Sequence, residues 1–512
     1  MSAFLIFVSL LSCLVVTAIL YVKNAFSYWK RRGIPYIQPT FPFGNSGEIF
    51  LQTTSVANAV QKLYESTTEP VLGYYSSIFP ALLVRDSKIL QNILIKDFTN
   101  FHNRKCHADP KVDPMAGNLL LINDEKWKIA RKTFSPAFTS SKLKEMIGTI
   151  IGATESLNEH LDQYADQPNP CEVREVFTRC ATNVIASVGF GLEIDCLKNP
   201  DSEFRMYGKR IFEGSVINAW RNLCIFVAPT LSKIFRPRFV CKDVGDFMIN
   251  LIRENVKYRD ENNIIRKDFF QLLMQLRNTG KIDELNNWSI KSSNSHKSLT
   301  IEEMSAQAFL FFAAGYETSA ATMSFCLYEL CKDQNAQQKA YEEISAVLEK
   351  HNGELTWESI NDMKYVDNCI DETLRMHPPF GVFGRMCMSD YKVPDTDIII
   401  EKGTHIMVSV NGIHYDPKYY PDPHTFKPER FAERQNGDKS FVKMPFLSFG
   451  EGPRNCIGRR LGKFESKVTI VKVLQKFRFE LGEQHQDKEL KIEPTAFARY
   501  PTNGINLKLY RR

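Results

Sequence analysis

The sequence predicts a mostly α-helical catalytic domain with small β-sheets (α+β), preceded by one N-terminal transmembrane helix. Three observations lead there. The stretch from Phe4 to Val22 carries no charge. Helical periodicity then runs through most of the chain up to about residue 380. Short apolar runs, rich in aromatic and β-branched residues and broken by proline or glycine, occur at 71–85 and 391–410. Such runs read as strands. The chain has 512 residues, 43% hydrophobic and 12% aromatic, which is ample for a large core, and no linker divides its main body. Three parts result: an anchor at 1–22, a basic, proline-rich hinge at 23–45, and a catalytic domain at 46–512.

The net charge of +6 is mild for this length and gives no argument for a nucleic-acid partner. The 12 cysteines form no CxxC pair and no small-domain disulfide framework. A reducing, cytosol-facing location is the simpler inference.

As a helix, Phe4–Val22 spans roughly 28 Å, about the hydrocarbon thickness of a bilayer. A cleaved secretory signal would want a basic start, a shorter apolar core and a small-residue cleavage site, and none is evident. Lys23, Lys30, Arg31 and Arg32 follow the span, so the positive-inside rule puts the rest of the chain in the cytosol. Tyr28 and Trp29 suit an interfacial belt. Pro35, Pro39 and Pro42 make the next segment extended and stiff, as a hinge.

Within the catalytic domain, Val71–Arg85 reads as a β-hairpin turning near Pro80. Asp86–Phe98 reads as a short helix and His102–Met115 as a loop. A helix begins at Asp124 with two acids at its start, and Trp127 and Arg131 share one face of it. By themselves these two read equally as a core aromatic beside a solvated arginine. Residues 140–290 are mostly helical. Phe204–Phe239 is aromatic and interrupted by Pro229 and Pro237, which fits an amphipathic helix pair.

Leu299–Lys332 is a long helix whose apolar run, Leu310 to Gly315, is too short to span a membrane. Gly315 costs about 1 kcal/mol against alanine there, so something must offset it. Taken singly, Thr318 reads as a hydroxyl bonded to its own helix carbonyl, and Glu317 as a solvated or paired acid. Glu372 and Arg375 are three apart on a helix that stops at Pro378-Pro379, close enough for an ion pair. Residues 459–477 read as a helix and 488–512 as a terminal hairpin.

The organising stretch is Phe446 to Gly462. Gly450 and Gly452 permit backbone angles that a side chain forbids, and Pro453 stiffens the turn. The remaining N–H groups and the start of the next helix can face the sulfur of Cys456, which favours thiolate over thiol. A thiolate so placed suits heme iron as an axial ligand.

Phe449-x-x-Gly452-x-Arg454-x-Cys456-x-Gly458 resembles the heme-binding signature of the cytochrome P-450 family. Trp127-x-x-x-Arg131 resembles its C-helix motif, Ala314-Gly315-Tyr316-Glu317-Thr318 its oxygen-binding groove, and Glu372-x-x-Arg375 its ExxR pair. Trp29 to Tyr36, Arg266 to Leu276 and Phe311 to Thr318 look like insect microsomal members. The resemblance implies heme b with Cys456 as axial ligand. It implies propionate contacts from Trp127, Arg131, Arg385 and Arg454. Phe449 and Gly458 would lie beside the macrocycle, and Ala314 and Gly315 would form the oxygen groove. Thr318 and Glu317 would relay protons during oxygen activation. Arg430 would join Glu372 and Arg375 in a structural network. Leu310, Phe380, Val382 and Phe497 would touch substrate.

The implied reaction is monooxygenation of apolar substrates by O2, at the endoplasmic reticulum membrane. No nicotinamide or flavin motif appears. Electrons would therefore come from NADPH through NADPH–cytochrome P-450 reductase, with cytochrome b5 as a further candidate partner. Lys128, Lys132, Arg459, Arg460 and Lys463 would form the docking face. Xenobiotics such as plant toxins or insecticides are the expected substrates. The alternatives are hydroxylation of an endogenous hormone or lipid, and rearrangement of a peroxide without a reductase.

Overall fold

The computed structural model describes residues 2–512 except 105, 213–214, 228, 283–287, 289–297, 437–439, 487–489, 495 and 497. Helices dominate, and the longest, Ile301–Lys332, runs through the core. Its start is fixed by a reciprocal cap. Thr300 Oγ1 accepts from the Glu303 N–H at 3.1 Å, and the Glu303 carboxylate accepts from the Thr300 N–H at 2.9 Å. Such a cap satisfies two backbone donors that the first turn leaves free. Most residues of this helix are buried, because it packs between Val173–Ile185 and the helix Arg459–Lys476.

Val71–Ser76 and Phe79–Val84 form the expected antiparallel hairpin, but it turns at Ser77-Ile78, and Pro80 lies within the second strand opposite Tyr75. Its second strand pairs in parallel with His405–Ser409, which pairs antiparallel with Val382–Met386. This four-stranded sheet carries Arg385 on its last strand.

Asp86–Phe98 is not one regular helix. A short α-helix, Ser87–Gln91, capped by Asp86, widens into a π turn at Asn92–Lys96. Residues 488–512 form a hairpin only in part: Ile492 bridges Pro501 antiparallel, with Glu493 N–H donating to Tyr500 O at 3.0 Å and Thr502 N–H to Lys491 O at 2.8 Å. Their one long strand, Asn506–Arg511, lies between Phe477–Leu481 and Cys171–Glu172. Alternation shows a strand but not its partner, and here both partners lie earlier in the chain.

Ser2–Ala25 is a single helix, exposed along its apolar length, and Phe4–Ala25 is long and apolar enough to cross a membrane. The following segment is docked rather than free. Trp29 is buried, and its indole N–H donates to the Tyr74 carbonyl at 3.0 Å. A Cβ at Gly73 would meet the Trp29 ring at 2.6 Å, so glycine makes room for it. Tyr28 donates to Glu401. The expected interfacial role of Tyr28 and Trp29 is therefore corrected: both side chains are held by the catalytic domain. The hinge is pinned as well, through Ile37 N–H to Gly73 O and Gly73 N–H to Pro35 O. All 12 cysteines are free thiols.

Candidate active site

The turn that presents Cys456 is built as its glycines require. Gly450 and Gly452 have φ of +67° and +75°. A Cβ on Gly452 would meet the Leu94 carbonyl oxygen at 1.8 Å, so both the angle and the space demand glycine. The Cys456 N–H donates to Phe449 O at 2.8 Å and closes the loop. The helix Arg459–Lys476 starts directly after Gly458. The sulfur keeps accessible surface, but that surface faces a cavity of about 890 Å³ rather than the outside. Burial raises the thiol pKa, while a hydrogen bond from the Gly458 N–H and the charges of Arg131, Arg104 and Arg459 pull it down.

At one end of the cavity stands a cluster of buried guanidiniums, Arg104, Arg385 and Arg454. Burial depresses all three below the usual arginine range, and the charge of Arg104 adds to it at Arg385 and at Arg454, the latter falling to about 9. Arg454 donates to His102 O at 2.5 Å and Ile122 O at 2.6 Å, and lies 4.7 Å over the Trp127 ring. Its Nε, and that of Arg385, find no acceptor among the described residues. Unpaired buried charge of one sign calls for an anion, and the two propionates of heme b meet that need. A Cβ on Gly458 would meet no protein atom within 4 Å, which leaves room for a flat ring beside the cysteine. Phe449 lines the same wall under the Arg459 guanidinium. The residues present fit heme.

Other expected contacts fall differently. Arg131 spends its guanidinium on Asn455, donating to its backbone and side-chain oxygens at 2.8 Å each. It thus holds the residue before the cysteine instead of lining the cavity. Trp127 also stands behind the wall, supporting Arg454. Arg104 was not singled out by sequence, because it lies in an irregular loop with no periodic signal.

On the long helix, Leu310, Ala314 and Thr318 line the cavity. Thr318 Oγ1 donates to Ala314 O at 2.6 Å, the local bond that threonine makes by itself. Gly315 does not open the groove. A Cβ there would meet Ile185 Cδ1 at 2.9 Å, so the glycine lets the helix Val173–Ile185 approach, and this packing offsets its helix cost. Glu317 is buried on another face, bonded to Arg174 at 2.5 Å. It borders a second, smaller cavity shared with Arg205, Lys209 and Tyr500. Phe380 and Val382 line the main cavity, while Phe497 lies outside the described residues.

Glu372 accepts from Arg375 at 2.8 and 2.9 Å, from the Lys427 N–H at 3.0 Å and from Arg430 at 3.0 Å. Among the expected docking cations, Lys463 is committed to Asp371 at 2.8 Å and is not free for a partner.

Sequence reasoning also missed Glu465. It is buried on the helix after the cysteine, and its Oε2 accepts from Ser319 Oγ at 2.9 Å while Oε1 has no partner among the described residues. Burial pushes its carboxyl up to about 8. The folded chain therefore keeps a proton that the unfolded chain, with a pKa of about 4.3, gives up. This group's contribution to stability is full below about pH 4.3 and is lost as pH rises toward about 8. Glu465→Gln should flatten the fall in thermal midpoint between about pH 5 and 8. Parallel curves for the two proteins would show that Glu465 titrates normally.

Residues 36–507 match the family model for cytochrome P450. The chain is 38% identical over 493 residues to probable cytochrome P450 6d5 of Drosophila melanogaster, covering 96% of both chains. It is 36% identical over 516 residues to cytochrome P450 6d3 of Musca domestica, covering 98% of both. Cytochrome P450 6A1 of Musca domestica is 35% identical over 506 residues, covering 96% of this chain and 95% of that protein.

Proposed function

This chain belongs to the cytochrome P450 family, and we propose that it oxidises apolar foreign compounds, such as plant toxins or insecticides, at the endoplasmic reticulum membrane. It is a heme-thiolate monooxygenase resembling insect members of the family. One observation carries the assignment of parts: the Cys456 sulfur faces an apolar cavity lined by three guanidiniums that form no ion pair among the described residues. Heme, when bound there, supplies the oxygen chemistry, and the protein supplies orientation and proton control.

In this reading Cys456 would ligate the heme iron, with its sulfur held by the Gly458 N–H. Arg104, Arg385 and Arg454 would hold the propionates. Phe309, Leu310, Ala313 and Phe380 exclude water and orient the apolar substrate. Thr318 handles the proton. Its hydroxyl now donates to Ala314 O, so its lone pairs can accept from a water in the cavity. Turning the hydroxyl would let it donate instead. Glu317 and Arg174 border the polar second cavity on another face, which suits proton supply more than contact with oxygen. Electrons come from NADPH through NADPH–cytochrome P450 reductase in the same membrane, with cytochrome b5 as a second donor. The apolar helix Phe4–Ala25 is the anchor.

The test is reconstitution with the reductase. Reductase-dependent NADPH oxidation with oxygenated product is expected for apolar foreign compounds. Rearrangement of a hydroperoxide substrate together with no reductase-dependent oxygenation of any compound would overturn the monooxygenase reading, and exclusive turnover of an endogenous hormone or lipid would overturn the xenobiotic one. Thr318→Ala should keep heme and substrate affinity. NADPH oxidation should continue while product falls about tenfold or more, the electrons appearing as hydrogen peroxide or water, so that kcat falls more than affinity. Full coupling in that variant would make Thr318 structural.

A further inference from the structure

The cations that line the main cavity can be accounted for one by one. Arg104, Arg385 and Arg454 form the propionate cluster. Arg210 is paired with Asp243. Lys463 is paired with Asp371 and Asp367. Arg221 donates to Asn218 Oδ1 and to Cys241 Sγ. Arg499 remains. It lines the same cavity as Thr322, Leu374, Phe380 and Ala496. Its backbone N–H donates to Pro379 O at 2.9 Å, which ties its loop to the turn before Phe380. Its Nε is buried without an acceptor, and among the described residues no side chain accepts from its guanidinium or forms an ion pair with it.

Arg499 stands apart from the propionate end, and among the described residues no carboxylate pairs with it. Arg385 feels Arg104 and Arg454, whereas the one charge that Arg499 feels is that of the Tyr415 phenol, whose own O–H is spent on Met376 O at 2.9 Å. The nearby imidazole of His377 is already bonded to Glu329 at 2.7 Å, so that carboxylate is engaged elsewhere. Glu493 is the single acidic residue on the cavity wall among those described, and it forms no ion pair with Arg499. A fixed, planar, permanently charged donor in an otherwise apolar chamber selects for a planar anion, because a guanidinium meets a carboxylate through two parallel hydrogen bonds.

We propose that Arg499 is a substrate-anchoring residue, and that the substrates taken best are apolar molecules bearing a carboxylate. This rests on the monooxygenase reading above and deepens it. The acid would dock on Arg499, and its apolar body would extend along Leu374 and Phe380 toward Thr318. Arg499 then sets which end of the substrate points at the reacting centre, as well as how tightly it binds.

The experiment uses the full-length holoenzyme in detergent and three matched probes: 4-cyclohexylbutanoate, its methyl ester and butylcyclohexane. Binding is read by equilibrium dialysis and by the change in heme absorbance. The intact protein should bind the acid about tenfold or more tightly than the ester or hydrocarbon. Arg499→Leu should abolish that preference while leaving hydrocarbon affinity unchanged, and Arg499→Lys should keep part of it. Equal affinity for acid and hydrocarbon in the intact protein would overturn the proposal, as would an undiminished preference in Arg499→Leu. Equal loss of ester and acid binding in Arg499→Leu would overturn the choice of a carboxylate. Reductase-dependent turnover of butylcyclohexane in the same preparations separates the two readings. If turnover persists without acid preference, the anchor is wrong and the enzyme class stands. If no reductase-dependent product forms from any probe, the monooxygenase reading fails first.

Discussion

Replacing Cys456 by serine is expected to abolish the thiolate-type Soret band of the reduced carbon monoxide complex and to lower product formation about a thousandfold or more, the scale seen when a group acting in the chemical step is removed outright. A serine hydroxyl is nearly isosteric with the thiol, so the loop itself should survive. The Cys456 N–H bond to Phe449 O is made by the backbone, and the positive φ angles belong to Gly450 and Gly452. What is lost is a soft anion. The Gly458 N–H and the charges of Arg131, Arg104 and Arg459 lower the proton affinity of a thiol that burial raises, but a hydroxyl starts far above their reach. Heme should still enter, held by the guanidinium cluster, with weaker retention on dilution. An unchanged band in Cys456→Ser would mean that another residue ligates the iron.

The ligand turn and the Glu372–Arg375 pair were legible because local constraints define them. Glycines at fixed spacing report required backbone angles, and two charges three apart on a helix report shared geometry. What could not be read depends on what lies opposite in space. Gly315 looked like a groove, but Ile185, distant in sequence, explains it. Helix geometry already turns Glu317 about 100° away from Thr318, but its partner Arg174 and the second cavity it borders lie elsewhere in the chain and could not be read. Trp29 follows a basic-flanked span and looked interfacial until Tyr74 supplied an acceptor and Gly73 a recess. Arg104 and Glu465 had no pattern around them, and their meaning comes from burial alone. The same limit hid the last strand's partners, since pairing is a nonlocal choice that alternation leaves open.

The second large effect is expected at Glu372. Both it and Arg375 are fully buried, and the carboxylate accepts four hydrogen bonds, two of them from Arg375 and one each from Arg430 and the Lys427 N–H. The network continues to the ligand loop. Arg375 also donates to His414 O at 2.8 Å, and the His414 ring accepts the Leu447 N–H at 2.9 Å. Ser448 Oγ donates to Leu374 O at 2.7 Å. Thus the segment leading into the cysteine turn hangs from the helix that carries Glu372. Glu372→Gln keeps the shape but leaves two guanidiniums buried without a counter-charge. Breaking one partner of such a buried pair costs about 3–5 kcal/mol, a large share of the roughly 5–15 kcal/mol that holds a domain folded. The variant should therefore yield little heme-loaded protein, and its urea midpoint should fall sharply. The control is Glu48→Gln, which breaks an exposed pair with Lys62. Exposed pairs contribute little, so that midpoint should not move. If Glu372→Gln retains heme and midpoint, hydrogen-bonding shape and not charge holds the network, and Glu372→Ala, which removes every acceptor, should then produce the loss.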